Sequence, residues 1–549
     1  MRCNTLDRMV HFVSFWKYVR GLDYILDATF YITLIIFALM YYQKSFQGMP
    51  DDAYITYRYA YNFIAGHGLV FNVDERYYGS TAMGFALFLG SITLVVQGIQ
   101  KLLDVQAPMN IPEVAVAVSA FSLMLIGACW HKILKQCSRS ILAWFGSLVI
   151  GVYFIASWYS ARAIGMETYA YFALLFLSSY LFVLAKRPVI SGIVLALSVM
   201  IRPDAILFAT ILFFVSIIDY YTFNKGDKRY LKHIIMGVIS FAPIIILWEI
   251  CLYYYFGSWI PGTMRAKKAQ VFLGHWEIFN VGNILSALNK GAFPGFLLIL
   301  VFVMASVVIL FTRQAITRNN ASLSDVSKGL LKLCIMWVLF GTGVIVAYTS
   351  FRITAWPWYE VPIYFSLLNA LISGMILLLL PFRGKITLWK WQVKALFSVA
   401  VILIAVPAAS KAYKYLDYWR NAHIINPHLS SYDPIVDYLH RNEPDGTTIA
   451  TAEPGAFGYK LGPNYKVIDY LGLISPGVAD SIITRDNDYY FKKWRPEYII
   501  VSWEGHYTPT GVQWFKKNYE LIGEFNHPHW QKYLKRGAYL FKYKTPAGK

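Results

Sequence analysis

Along this chain, long apolar runs alternate with short polar links as far as about residue 411, and then the pattern changes. Runs of spanning length fall near 24–42, 81–100, 112–131, 141–160, 168–185, 189–202, 203–221, 234–255, 293–312, 330–350, 359–381 and 394–411. A helix needs about 20 apolar residues to cross a hydrocarbon core of roughly 30 Å. The run 189–202 supplies only about 21 Å at 1.5 Å per residue. It meets the next run at Arg202-Pro203-Asp204, so this pair is expected to stop short of the outer surface, over a cavity floored by Arg202 and Asp204.

The links decide how many runs cross. Segments 1–23, 131–140, 185–188, 222–233, 312–329 and 382–394 hold 20 Lys or Arg against four Asp or Glu. Cytoplasmic links carry such an excess of Lys and Arg. All six fall on one side only if the 81–100 run lies on the outer face as a re-entrant or interfacial helix. The pattern therefore predicts a polytopic α-helical membrane protein of about eleven spans, with its N-terminus inside and residues 43–111 wholly outside. The first apolar run, from Leu22 to Tyr42, is too long for a signal-peptide core and reads as a retained span.

From Ala412 onward, short β-rich runs at Thr447–Thr451, Lys466–Tyr470, Glu497–Ser502 and Tyr539–Tyr543 alternate with helical candidates at Tyr432–Arg441, Pro454–Leu461 and Thr510–Tyr519. Alternation of this kind predicts a small α/β domain on the outer face. The expected organisation is a transmembrane module over 1–411 and an extracytoplasmic α/β domain over 412–549.

Composition agrees. Apolar residues make up 57% and charged residues 15% of the 549, against about 25% charged in an average soluble domain. Mean hydropathy is +0.45. The net charge of +19 is spread over the short links, so it does not form a nucleic-acid patch. The five cysteines show neither disulfide nor metal spacing. No nucleotide-binding fingerprint is present.

Candidate chemistry sits in the loop after the first span, which opens Asp51-Asp52-Ala53-Tyr54-Ile55-Thr56-Tyr57-Arg58 behind Pro50. Pro followed by acidic residues starts a helix. Asp51 and Arg58, seven apart, share one face, and Asp52 is turned by about 100°. A carboxylate at a helix start with a guanidinium two turns along could handle an acceptor hydroxyl and a phosphate, or simply cap a surface helix. Other charges lie at expected outer membrane ends: Arg162 and Glu167, Arg202 and Asp204, Arg265, Lys267 and Lys268, and Arg352 before Trp356-Pro357-Trp358-Tyr359. Ionisable groups at such depth are costly and are functional candidates by default.

These motifs follow one another in a recognisable order. Asp-Asp-Ala-Tyr-Ile-Thr-x-Arg at 51–58 is followed by Gly66-His67-Gly68 and Val70-Phe71-Asn72. Gly165-Met166-Glu167-Thr168, Arg202-Pro203-Asp204 and the Tyr255–Lys267 segment come next. The tail adds Gly455-Ala456-Phe457-Gly458-Tyr459, Val467-Ile468-Asp469-x-Leu471-Gly472-Leu473 and Arg495-Pro496-Glu497-Tyr498. Over about residues 24–505 the chain resembles bacterial type C glycosyltransferases, nearest the terminal arabinofuranosyltransferase-like subgroup. It departs at Gly262, where that pattern has Asn.

The resemblance implies a multi-pass enzyme of the bacterial inner membrane, with its site and C-terminal domain extracytoplasmic. It would move a sugar, arabinofuranose in this subgroup, from a polyprenyl-phosphate donor to a hydroxyl of a glycan, lipid or protein acceptor, with no nucleic-acid partner. Mannosyl or aminoarabinosyl transfer to protein or lipid A is the alternative within the class, and a lipid or sugar transporter the alternative outside it. Asp51 or Asp52 would be the general base, with Asp51 favoured by the face it shares with Arg58. Arg58, Arg202 and Lys267 would hold the donor phosphate. Tyr54, His67, Glu167, Asp204, Arg265 and Arg352 would contact substrate. No cofactor is assigned, and a divalent cation between Asp51 and Asp52 is compatible with the motif, although the sequence offers no full ligand set.

Overall fold

The computed structural model describes residues 3–44, 49–105, 109–137, 141–274, 277–291, parts of 297–308, 325–379, 430–486, 488–502, 513–528 and 537–544. The apolar runs form helices: α1 (Cys3–Lys44), α3 (Met83–Leu102), α4 (Ile111–Cys137), α5 (Ile141–Ala156), α6 (Glu167–Val183), α7 (Pro188–Ile201), α8 (Ala205–Phe223) and α9 (Lys228–Phe256). Two more run over Asp325–Ser350 and Pro357–Leu379. Among the described residues, seven helices are long and apolar enough to cross a membrane, and three shorter apolar ones accompany them. The chain is a multi-pass membrane protein. The expected span 394–411 and the link 382–394 lie outside the described residues, as does the boundary at 411, and 293–312 is described only in part.

Polar pins set the packing of the bundle. Asp27 on α1 accepts from Lys135 on α4 at 2.7 Å and contacts His131 at 2.9 Å, which holds the two helices antiparallel. Although α3 could cross by length and composition, both its ends are tied to the face that carries α2 (Asp51–Ile64). Its first turn rests on Met200 at the end of α7, where a Cβ on Gly84 would strike the Met200 carbonyl. Near its other end, Gln97 donates to the Met109 carbonyl at 3.0 Å, just ahead of α4.

The C-terminal domain holds a five-stranded sheet in the order β2-β1-β3-β5-β4. Strands β1 (Thr448–Thr451), β2 (Lys466–Asp469) and β3 (Tyr498–Val501) pair in parallel. Strand β5 (Ala538–Tyr543) joins β3 and β4 (Tyr519–Phe525) antiparallel. The expected helices appear at Asp433–Asn442 and Pro454–Leu461, but only Gln513–Asn518 of the expected Thr510–Tyr519 is described as helix. Tyr519 itself opens β4, a strand the alternation did not announce, because an exposed edge strand with Glu520, Gly523 and Glu524 has no continuous apolar face.

Candidate functional site

The site begins at α2, where Pro50 in extended conformation releases the chain into a helix with Asp51 and Asp52 in its first turn. Nine of the fourteen residues of α2 are buried, between α3 on one side and the helix Pro454–Leu461 on the other. Asp51 faces the C-terminal domain. Its carboxylate accepts the Ala456 N–H at 2.7 Å and the Gly455 N–H at 3.1 Å, closing the first turn of that helix. Burial, and then the nearby Glu453 carboxylate, push the Asp51 pKa well above the usual carboxylate range. Close approach depends on the glycines: a Cβ on Gly455 would collide with the Asp51 carbonyl, and one on Gly458 would meet the Arg58 guanidinium and Phe71.

Arg58 shares the Asp51 face, and that face is a docking surface. The side chain is 1% exposed. It donates to the carbonyls of Phe71 at 2.8 Å, Gly458 at 2.5 Å and Tyr465 at 2.9 Å, and its guanidinium lies 4.6 Å from the Phe71 ring. A fork buried on three backbone carbonyls presents no free edge to a phosphate. The expectation for Arg58 as a phosphate ligand is therefore corrected: it joins two parts of the chain. Tyr54 is likewise buried, against Tyr57 and Tyr459, and His67 is exposed on the loop after α2.

Asp52, turned away from that face, looks into the bundle. Its carboxylate lies 3.7 Å from the ammonium of Lys267 on α10 (Gly262–Leu273), with side-chain exposures of 27% and 13%. Burial works against the Lys267 charge, but Asp52, Tyr359 and Asp469 more than reverse it, so its pKa lies above the ordinary lysine value. The ammonium also sits 5.8 Å from the Trp356 ring. Asp51 and Asp52 thus turn to different partners. Among the described residues, no group of three or more His, Cys, Asp or Glu is placed to hold a metal.

Behind Asp52 stands a buried ionic cluster. Gly165 takes a positive φ of 73° and receives the Tyr57 hydroxyl on its carbonyl at 2.9 Å, which brings Glu167, at the start of α6, next to α2. At the α7–α8 break, Arg202 donates to Asp204 at 3.0 and 3.1 Å, to Glu167 at 3.3 Å, to Thr168 at 3.0 Å and to the Tyr348 hydroxyl at 3.1 Å. Tyr348 in turn donates to Asp204 at 2.9 Å. Every Arg202 nitrogen thus has a protein partner, and two carboxylates offset its charge. This does not suit a phosphate ligand, so Arg202 is corrected to an internal tie that holds Glu167 and Asp204 beside the site. Of the three expected phosphate cations, Lys267 alone faces Asp52.

The remaining candidates lie elsewhere. Arg265 is exposed and 3.5 Å from Asp480 of the C-terminal domain, and Arg352 is exposed in a left-handed turn. Gly262 is explained by its surroundings, because a Cβ there would run into the Tyr77 ring. Sequence reasoning passed over Tyr348, at the polar end of an apolar run. It passed over the role of Asp469 as well. This fully buried carboxylate accepts the N–H groups of Leu471 at 2.7 Å, Ile474 at 3.3 Å and Leu473. Burial pushes it up to about 7 against those bonds. Its signal was the motif around it, which names a tight turn rather than a charge.

This arrangement of helices and sheet has a counterpart among solved structures. The Archaeoglobus fulgidus oligosaccharyltransferase, crystallised in complex with Zn and sulfate, superposes with a TM-score of 0.51 at 13% identity, over 85% of this chain and 67% of that one. The fold is the type C glycosyltransferase fold. A second crystal structure of that enzyme, tethered with an acceptor peptide containing the NVT sequon via a disulfide bond, gives a TM-score of 0.46 at 12% identity, over 86% and 69% of the two chains. The assignment rests on the first superposition. A family profile described as a domain of unknown function, DUF8728, matches residues 422–542, the sheet domain of this type C fold. By sequence, no curated protein matches the chain.

Proposed function

We propose that this chain is an inner-membrane glycosyltransferase. In this reading it moves a sugar, arabinofuranose by the motif resemblance, from a polyprenyl-phosphate donor to a hydroxyl of a cell-envelope acceptor on the outer face. The observation that carries the reading is the Asp52–Lys267 pair, partly exposed at 3.7 Å, in front of a saturated wall of Glu167, Arg202, Asp204 and Tyr348. Asp52 takes the proton from the acceptor hydroxyl as its oxygen attacks the anomeric carbon. The bond from that carbon to the phosphate oxygen breaks, and the electron pair leaves with the lipid phosphate. Charge moves consistently: as Asp52 is neutralised by the proton, Lys267 loses its partner and can balance the departing phosphate.

The fold neighbour supports the class without supplying the sugar, because specificity lies in pocket shape. The test is incubation of purified protein with a panel of polyprenyl-phosphate sugars and detection of released polyprenyl phosphate. Acceptor-dependent release from the arabinofuranosyl donor is expected. Release from a mannosyl or aminoarabinosyl donor alone would correct the sugar, and release from no donor would remove the reading.

A further inference from the structure

Both halves of the Asp52–Lys267 pair rest on the same support. On one side, α2 is gripped by the C-terminal domain through Asp51 on Gly455 and Ala456 and through Arg58 on Gly458 and Tyr465. The loop after α2 adds Asn72, whose amide donates to the Val467 carbonyl at 2.9 Å and accepts the Val467 N–H at 3.0 Å, extending the edge of β2. On the other side, α10 packs along the helix Val478–Thr484 of the same domain, with Ala266 and Ala269 buried in one and Val478, Ala479 and Ile482 in the other. The Gly262 N–H at its start donates to the Tyr78 carbonyl at 2.6 Å, joining α10 back to the loop that follows α2.

We infer that the C-terminal domain, 422–542 in the matched profile, is the element that sets the gap between Asp52 and Lys267, with Asp51, Arg58 and Asn72 as positioning residues acting through α2. The inference rests on the glycosyltransferase reading for its kinetic consequence and on the contacts above for its structural one. Consecutive Cα atoms are about 3.8 Å apart, so anchoring Asp51 fixes the backbone that carries Asp52. Lys267 is carried by α10, which packs against the helix Val478–Thr484 of the same domain. The bonds are made by side chains of α2 and of the loop after it to domain backbone, so they specify a position more than they recognise a ligand. Misplacing a reacting group by about 1 Å can cost roughly 10²-fold in rate.

The experiment compares full-length wild type with Asn72→Ala, Asn72→Asp and Gly455→Ala, reading kcat, both KM values and amide hydrogen exchange. The Asn72→Ala and Gly455→Ala variants should lose about 10- to 100-fold in kcat with KM for donor and acceptor little changed. Asn72→Asp, which keeps the acceptor for the Val467 N–H, should fall between wild type and Asn72→Ala. Exchange should quicken in residues 51–64 and 262–273 together. Arg441→Ala, in an exposed ion pair with Asp437, should change none of these. Faster exchange in α2 with kcat intact, or in α2 without α10, would overturn the shared support, and a rise in acceptor KM alone would make the domain an acceptor-binding module instead. Should Gly455→Ala fail to fold, the two Asn72 variants carry the comparison. Exchange is read without sugar turnover, so an inactive wild type would sink the functional reading while the docking claim is still decided.

Discussion

Asp51 and Asp52 are adjacent in sequence and opposed in role: Asp51 accepts the N–H groups of Gly455 and Ala456, whereas Asp52 faces the Lys267 ammonium at 3.7 Å. The helical turn of about 100° between neighbours is enough to send one carboxylate to a domain interface and the other to a mixed-charge recess. On the face they share, Asp51 and Arg58 both hold the same partner domain.

Lys267 is expected to matter to turnover more than any other cation near the site. In the proposed mechanism, Lys267→Ala removes the charge that would balance the departing phosphate, and it leaves Asp52 without its partner. Loss of one such preorganised group costs about 10²–10³ in kcat. Lys267→Arg should recover part of it. Single-turnover release of polyprenyl phosphate is the measurement, and full activity in the alanine variant would move the phosphate site elsewhere.

Arg58→Lys is expected to act on stability and leave donor affinity alone. An ammonium cannot reach the carbonyls of Phe71, Gly458 and Tyr465 together. The Phe71 carbonyl keeps the Asn62 amide and the Gly458 carbonyl keeps the Gly462 N–H, so the cost is that of the lost bonds to a charged donor, about 1.5–3 kcal/mol each. Thermal unfolding in detergent and donor binding, measured on one preparation, separate the two effects. Weaker donor binding at unchanged stability would restore Arg58 as a phosphate ligand.

Gly262→Asn, which restores the residue found in the resembling family, should destabilise this chain, because the new Cβ meets the Tyr77 ring. The cost should fall sharply in Gly262→Asn/Tyr77→Ala, where the ring is gone. Additive losses in the double variant, read from melting temperatures, would show that the two positions do not share space.

Stability should fall as pH rises through the window set by Asp469. Its folded pKa, about 7, lies above the ordinary aspartate value of 3.8. Between these values the folded state holds a proton that the unfolded state has released, so raising pH favours unfolding until about pH 7 and little further. Unfolding midpoints of wild type and Asp469→Asn across that range check this, with the slope expected to be shallower in the variant. Equal slopes would mean that Asp469 does not titrate there.

Much of the architecture was legible from pattern because spanning helices and short strands are both written in hydrophobic periodicity. The break at Arg202-Pro203-Asp204 and the helix Pro454–Leu461 fall where Pro and charge placed them. The site was half legible. Asp52, Lys267, Glu167, Arg202 and Asp204 were singled out, and the fold brings these five together. What sequence could not tell was saturation: whether an arginine reaches a ligand or is already occupied by carbonyls, as Arg58 is, depends on a domain some 400 residues away. Tyr348 and Asp469 stayed hidden for the same reason, since their partners are set by packing.

The central claim is that Asp52 carries the proton and Asp51 carries the domain. Turnover and donor affinity of Asp52→Asn and Asp51→Asn, in the same detergent and with melting temperatures alongside, test it most directly. Asp52→Asn should lose a factor of about 10²–10⁴ in kcat with donor binding and melting temperature retained. Asp51→Asn should melt lower, because an amide offers the Gly455 and Ala456 N–H groups one acceptor oxygen where the carboxylate offers two. It should lose less turnover than Asp52→Asn. Near-normal turnover in Asp52→Asn, or the larger catalytic loss in a normally stable Asp51→Asn, would contradict the account.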